Sequence, residues 1–197
     1  MIHPIRLSMI VSAGLLALAA CSKPSEPAPA PAEPAPATPA PAPAPAPAAE
    51  VISSEGFGAV KIGMTEQEVV NVLGAGAKPV LGAGEPNGCH HVYSPKDPGL
   101  AVMIENGKAT RVTAQRNSTA KSDKGVGLGA TAEQVQAAYG STPLESEPHK
   151  YEAAPAKYLT AWTVKGQSGV RYVINSQGVV ANIHGGGPSI LYVEGCS

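Results

Sequence analysis

The sequence predicts an α+β fold: a tandem repeat of a short helix plus an antiparallel β-hairpin or sheet, with the helices packed on one sheet face, following a disordered Pro/Ala linker. Three observations predict it. Eleven of the 20 prolines lie within residues 24–47, alternating with alanine, so the remainder of the 197 residues has ordinary proline content. A segment with helix-start and helix-stop signals occurs twice at an offset of 66 residues, Ile62 falling on Leu128. A pair of β-branched runs flanking a glycine turn follows each copy. The boundaries this implies are a signal segment over 1–20, a lipidated cysteine and linker over 21–50, a first repeat over 51–120 and a second over 121–197.

From the N-terminus, Arg6 precedes an apolar run over residues 9–20, about a dozen residues and too short to span a bilayer, the pattern of a cleaved export signal. Leu18-Ala19-Ala20-Cys21 resembles the bacterial lipobox, in which the cysteine thiol receives a diacylglyceryl group and the chain is anchored by acyl tails. Lipidation at Cys21 is therefore expected. Ser22, rather than aspartate, follows the cysteine, which by resemblance to enterobacterial sorting implies an outer-membrane address with the domain facing the periplasm. In the linker, proline fixes its own φ and holds the preceding residue extended, so the alternating tract favours polyproline II and cannot build a core.

In the first copy of the helix, Thr65 can cap and Glu68 can reach back to it; Thr131 and Gln134 repeat the arrangement, so each copy carries a capping box. Val69, Val72 and Leu73, then Val135, Ala138 and Tyr139, are expected on the buried face, with Gly74 and Gly140 as C-caps. The hairpins are expected to turn at Gly107 and Gly178, with extended stretches over 90–93 and 157–165 adding a strand to each. Two units this small cannot each bury much core and should pack together, leaving one sheet face partly open as a binding surface.

The formal net charge of -1 argues against nucleic-acid binding, which needs a basic patch. With Cys21 consumed by lipidation, Cys89 and Cys196 are an even pair suited to a disulfide in an oxidising compartment. The alternative is a metal site, since Cys89, His90 and His91 are consecutive and His149 and His184 lie elsewhere. Adjacent strand residues point to opposite faces, which opposes three ligands from one strand. No metal and no cofactor is expected. Nor does the sequence present a catalytic constellation: Gly166-Gln167-Ser168-Gly169 misses the nucleophile-elbow pattern, Asp97 and Asp123 sit in turn-like contexts, and Gly185 to Gly187 after His184 precede no helix that would cradle phosphate. Tyr151, Tyr158 and Trp162 are the candidate aromatic anchors for a partner.

The stretch Ile62-Gly63-Met64-Thr65-Glu66-Gln67-Glu68-Val69 through Gly74 resembles the opening motif of small outer-membrane lipoproteins of the SmpA/OmlA (BamE) kind, and its duplication is similar to the tandem arrangement of the β-lactamase inhibitory protein. The resemblance implies the tandem fold. It also implies a non-enzymatic lipoprotein, attached to the membrane by its lipid, that binds an unidentified periplasmic or envelope protein. Inhibition of a hydrolase is one form of such binding; a structural or assembly role in the outer-membrane envelope is the alternative. No partner-contacting residue of either family maps onto this chain.

Overall fold

The computed structural model describes residues 49–80 and 88–196. The expected signal segment, Cys21 and nearly all of the linker lie outside the described residues. No described helix is long and apolar enough to cross a membrane.

The described chain is mostly β, which corrects the expected tandem repeat of helix plus hairpin. It opens with three short strands, β1 (Val51–Ser53), β2 (Gly56–Phe57) and β3 (Val60–Lys61), then helix α1 (Glu66–Leu73). Strands β4 (Lys78–Val80), β5 (Cys89–Tyr93), β6 (Leu100–Glu105), β7 (Lys108–Gln115) and β8 (Lys121–Ser122) follow, then helix α2 (Ala132–Tyr139). Strands β9 (Glu145–Pro148), β10 (Lys157–Val164), β11 (Ser168–Ile174) and β12 (Val180–Gly186) lead into a 3₁₀ turn at Pro188–Leu191.

Strand pairing explains why the repeat does not survive as two units. β7 pairs antiparallel with β12, so the strands after both helices merge into one eight-stranded sheet in the order β4-β5-β6-β7-β12-β11-β10-β9. A second sheet, ordered β3-β2-β1-β8, joins the start of the domain to residues just before α2, with β1 and β8 parallel. Helices of eight residues are too short to dominate such an assembly, and neither this small sheet nor the edge strands β4 and β9 belonged to the repeated pattern.

The local signals do form. Thr65 Oγ1 accepts from the Glu68 backbone N–H at 3.3 Å while the Glu68 carboxylate accepts from the Thr65 N–H at 2.7 Å. Thr131 and Gln134 reproduce this at 3.2 and 2.8 Å. The first hairpin turns at Asn106 and Gly107, both with positive φ, as a two-residue loop between twisted strands requires. The predicted helix faces need one correction each: Val69 and Leu73 are buried but Val72 is exposed, and in α2 Ala132 and Val135 are buried while Ala138 is exposed and Tyr139 only half-buried. Each helix meets the core along a narrow stripe, Val69 and Leu73 in α1 and Ala132 and Val135 in α2, with Val70 and Tyr139 at its margin.

One apolar core fills the space on a single face of the large sheet. Val102, Ile104, Val112, Ala114, Tyr172, Ile174 and Ile183 from the sheet meet Val69 and Leu73 of α1, Val135 of α2, and Ile52 and Val60 of the small sheet. The approach of β1 to β12 is close: a methyl added at Gly185 would overlap the Ser53 carbonyl oxygen and lie 2.6 Å from Ile52 Cγ2. Gly185 and Gly186, the first two residues of the run Gly185 to Gly187, thus end a strand kept bare so that a second sheet can lie on it.

Candidate functional site: the polar face beneath the C-terminal strap

Because side chains alternate along a strand, placing Val112, Ala114, Val170, Tyr172 and Ile183 in the core puts their neighbours on the opposite face. Cross-strand register then aligns one row through all eight strands: Lys78, Tyr93, Ala101, Thr113, His184, Arg171, Thr160 and Glu145. Only Ala101 in that row is apolar. Arg111, Gln115 and Asn182 stand beside it on the same face.

This face, which the sequence leaves partly open, is roofed over its centre. After the 3₁₀ turn, residues 192–196 cross it as a strap held at two points. The Arg111 guanidinium donates through Nη1 to the carbonyl oxygens of Ser189 and Tyr192, at 2.9 and 3.0 Å. Beyond them, Cys196 is bonded to Cys89 of β5, with their Cα atoms 5.4 Å apart. The expected disulfide is present, and its role is local as well as global: it pins the last residues of the strap to the polar face. With Cys89 so engaged, the metal reading of Cys89-His90-His91 has no basis. His90 and His91 point to opposite faces; His90 Nε2 lies 3.2 Å from Glu66 Oε2 of α1, without hydrogen-bond alignment, while His91 faces the strap. Among the described residues, no group of three or more His, Cys, Asp or Glu is gathered to hold a metal.

Between sheet and strap lies a cavity of about 310 Å³. Arg111, 4% exposed, and Arg171, 5% exposed, rise from its floor. Arg171 is held by partners: its Nη1 donates to Glu147 Oε2 at 2.8 Å and to Thr160 Oγ1 at 3.0 Å, and its guanidinium lies 4.1 Å from the centre of the Tyr158 ring, a cation–π distance. Arg111 differs. No described carboxylate forms an ion pair with it, and its Nε is buried without a partner. Burial pulls its pKa down to about 10, with Glu105 and Tyr192 opposing, so it remains a cation at neutral pH.

That cation shapes its neighbours. His91 is pushed down to about 4, first by burial, then by Arg111 and by His90. His184, fully enclosed, is held well below the usual imidazole range by burial, then by Arg111, Arg171 and His91. Both rings are neutral at pH 7. His184 Nδ1 sits 2.9 Å from Thr113 Oγ1, which fixes its orientation.

The remaining predicted residues distribute unevenly. His149 and Tyr151 stand at the mouth: His149 stacks on Tyr158 at 4.8 Å, its Nδ1 accepts from the backbone N–H groups of Tyr151 and Glu152, and Tyr151 is 61% exposed. Tyr158 is buried in the cavity wall, where its hydroxyl oxygen accepts from the Lys150 N–H. Trp162 is off the cavity, its Nε1 donating to Glu145 at 2.9 Å. Asp97 closes its own turn by accepting from Gly99, Ser118 and Thr119, and Ser168 begins β11. Of the three candidate anchors, only Tyr151 is presented outward. It is joined by Leu191 at the end of the 3₁₀ turn and by Tyr192 and Val193 of the strap, 39%, 46% and 40% exposed, which complete an apolar rim around a polar cavity.

Sequence reasoning missed Arg111, Arg171 and the strap. The alternation Arg111-Val112-Thr113-Ala114-Gln115 and Val170-Arg171-Tyr172 was the available signal, since a polar residue every second position in a strand marks a second face. No protein-family model, no curated protein and no solved structure matches the chain.

Proposed function

We propose that the chain is a non-enzymatic, lipid-anchored envelope protein, held to the outer membrane through Cys21 with its domain facing the periplasm, that binds a protein partner on the strap side of the large sheet. The observation that carries the reading is the exposed rim of Tyr151, Leu191, Tyr192 and Val193, set on a segment clamped by a disulfide and by Arg111. Aromatic and aliphatic side chains on a rigid support give contact area at little cost in conformational entropy, and such residues dominate binding hot spots. The disulfide accords with export to an oxidising compartment.

Binding is favoured over catalysis because Arg111, Arg171 and His184, at the floor of the cavity, are already committed to structure. Arg111 grips backbone carbonyls, Arg171 is held by Glu147 and Thr160, and His184 Nδ1 is engaged by Thr113. None is left as a base poised beside a nucleophile.

The test is affinity capture from envelope extract with the full lipidated chain and with a Tyr151→Ser, Tyr192→Ser variant. A partner that is retained by the first and lost with the second supports the reading. Its identity divides the two forms of the function: a hydrolase whose activity falls on binding indicates an inhibitor, whereas envelope-assembly components indicate the structural role. Equal retention by both proteins, or none by either at low and high salt, counts against a partner site at the rim.

A further inference from the structure

We infer that the cavity beneath the strap receives a carboxylate side chain, presented by an acidic segment of the partner protein. The inference rests on the reading that the rim is the docking face, and extends it from contact area to charge.

The cavity is lined by Arg111, Arg116 and Arg171, against which, among the described residues, Glu194 is the one carboxylate in its lining. Glu147 answers Arg171 from outside the cavity, and Glu194 is already in contact with Lys150 at 3.1 Å. Arg111 therefore stands buried, with no ion-pair partner among the described residues, a costly arrangement for a cation unless an anion can approach it. Donors suited to such an anion are in place. Among the described residues, the side chains of Arg116, Gln115 and Asn182 make no hydrogen bond, yet all three line the same cavity. Gln115 and Asn182 are directly opposite one another on β7 and β12, so their amides are presented side by side.

Arg116 adds a conformational argument. It follows directly on β7 with φ at 56°, a left-handed backbone that a non-glycine residue rarely adopts, so the chain leaves the strand at a residue that lines the cavity. Neutral His91 and His184 keep the floor from being over-charged at pH 7 while the arginines supply a fixed positive field. A cavity of about 310 Å³ holds one or two side chains, and exposed Tyr151 and Tyr192 both line it, where the partner's apolar contacts would lie. Charge-assisted, bidentate pairing of guanidinium with carboxylate gives such a pocket its preference for an acid over an amide.

The full chain in detergent micelles should be titrated calorimetrically with two short capped peptides, Gly-Glu-Glu-Glu-Gly and its all-glutamine counterpart. The acidic peptide should bind at least about tenfold tighter, with the margin shrinking between ~0.05 M and ~0.5 M salt. Arg116→Gln, a substitution of an exposed residue that leaves the fold intact, should remove most of that margin. Nuclear magnetic resonance of the His91 ring gives a readout that needs no variant: the bound carboxylate should offset Arg111 and raise the midpoint of His91 titration. Equal affinity for the two peptides, an unmoved His91 midpoint, or tight binding of free glutarate with none of the acidic peptide would each overturn the inference. If the captured partner still depends on Tyr151 and Tyr192 in those cases, the docking reading stands and only the carboxylate is lost.

Discussion

Replacing both Cys89 and Cys196 by serine should cost more stability than any other conservative change in the domain. The two residues are 107 apart in sequence, and closing a loop of that length restricts the unfolded chain by about 5 kcal/mol in the chain-entropy model. Typical domains have only about 5–15 kcal/mol in total, so a third or more of the stability is at stake. The folded state should change little, because Arg111 still holds the strap at Ser189 and Tyr192 and Ile190 remains buried beneath it. The assay is denaturant unfolding followed by fluorescence of Trp162, the single tryptophan, which is half-buried on β10 and bonded to Glu145. The oxidised protein and the double variant should differ by about 3–5 kcal/mol, and the reduced wild type should coincide with the variant. A difference below about 1 kcal/mol would refute the reasoning, since the bond would then be constraining a chain already constrained by other means.

Gly185→Ala should destabilise by about 1–3 kcal/mol or more, read as a lowered melting temperature, because its methyl meets the Ser53 carbonyl and Ile52 Cγ2 where the two sheets touch. Thr65→Ala and Thr131→Ala should each cost about 1 kcal/mol and should add in the double variant, the two capping boxes belonging to separate helices. Stability should fall as pH drops from 6.5 toward 4: the His91 ring, with a folded pKa of about 4 against 6.5 when unfolded, binds its proton in the unfolded chain first, so its contribution is complete above 6.5 and lost on the way down. Allowing for solvent screening of a partly exposed ring, His91 supplies about 1–2 kcal/mol of that slope, His184 acts in the same direction, and His91→Gln should flatten the profile between pH 6.5 and 4.5. Glu68, Glu133, Glu145 and Glu152, all lowered from 4.5 by hydrogen bonds, act only below that window.

What was legible in the sequence was local. Thr65 with Glu68, Thr131 with Gln134, and the glycine turns at 107 and 178 are contacts within four residues, and the physics of capping and tight turns acts at that range. The pairing of the two cysteines was legible because the sequence has only three, and one of them directly follows the N-terminal signal-like segment. What failed was the assembly of these pieces. Nothing in the repeated segments says that β7 should seek β12, or that Val51–Ser53 should pair with Lys121–Ser122 to make a second sheet, because such choices depend on which edges are left unpaired after collapse. The helix faces were overdrawn for the same reason: Val72 and Ala138 fit a helical stripe, but the sheets beneath reach only one side of each short helix.

The site was half legible. The alternation of Arg111 and Arg171 with core residues marks a second face, and the isolated aromatic at Tyr151 is a natural anchor. The strap and the turn before it were not legible, since residues 187–196 carry no periodicity and are positioned by an arginine 78 residues before Ser189 and a disulfide across 107. A face that alternation alone would leave open is thereby converted into a roofed cavity.

The central claim is that the working surface lies on the strap side of the large sheet and not on its helix side. Site-specific photo-crosslinking in intact cells tests it most directly, with a benzoylphenylalanine placed at Tyr192 on the exposed rim or at Gln67 on the exposed side of α1. The account predicts a discrete crosslinked protein from position 192 and none from position 67. A crosslink from position 67 with none from 192 would contradict it and move the binding surface to the opposite face.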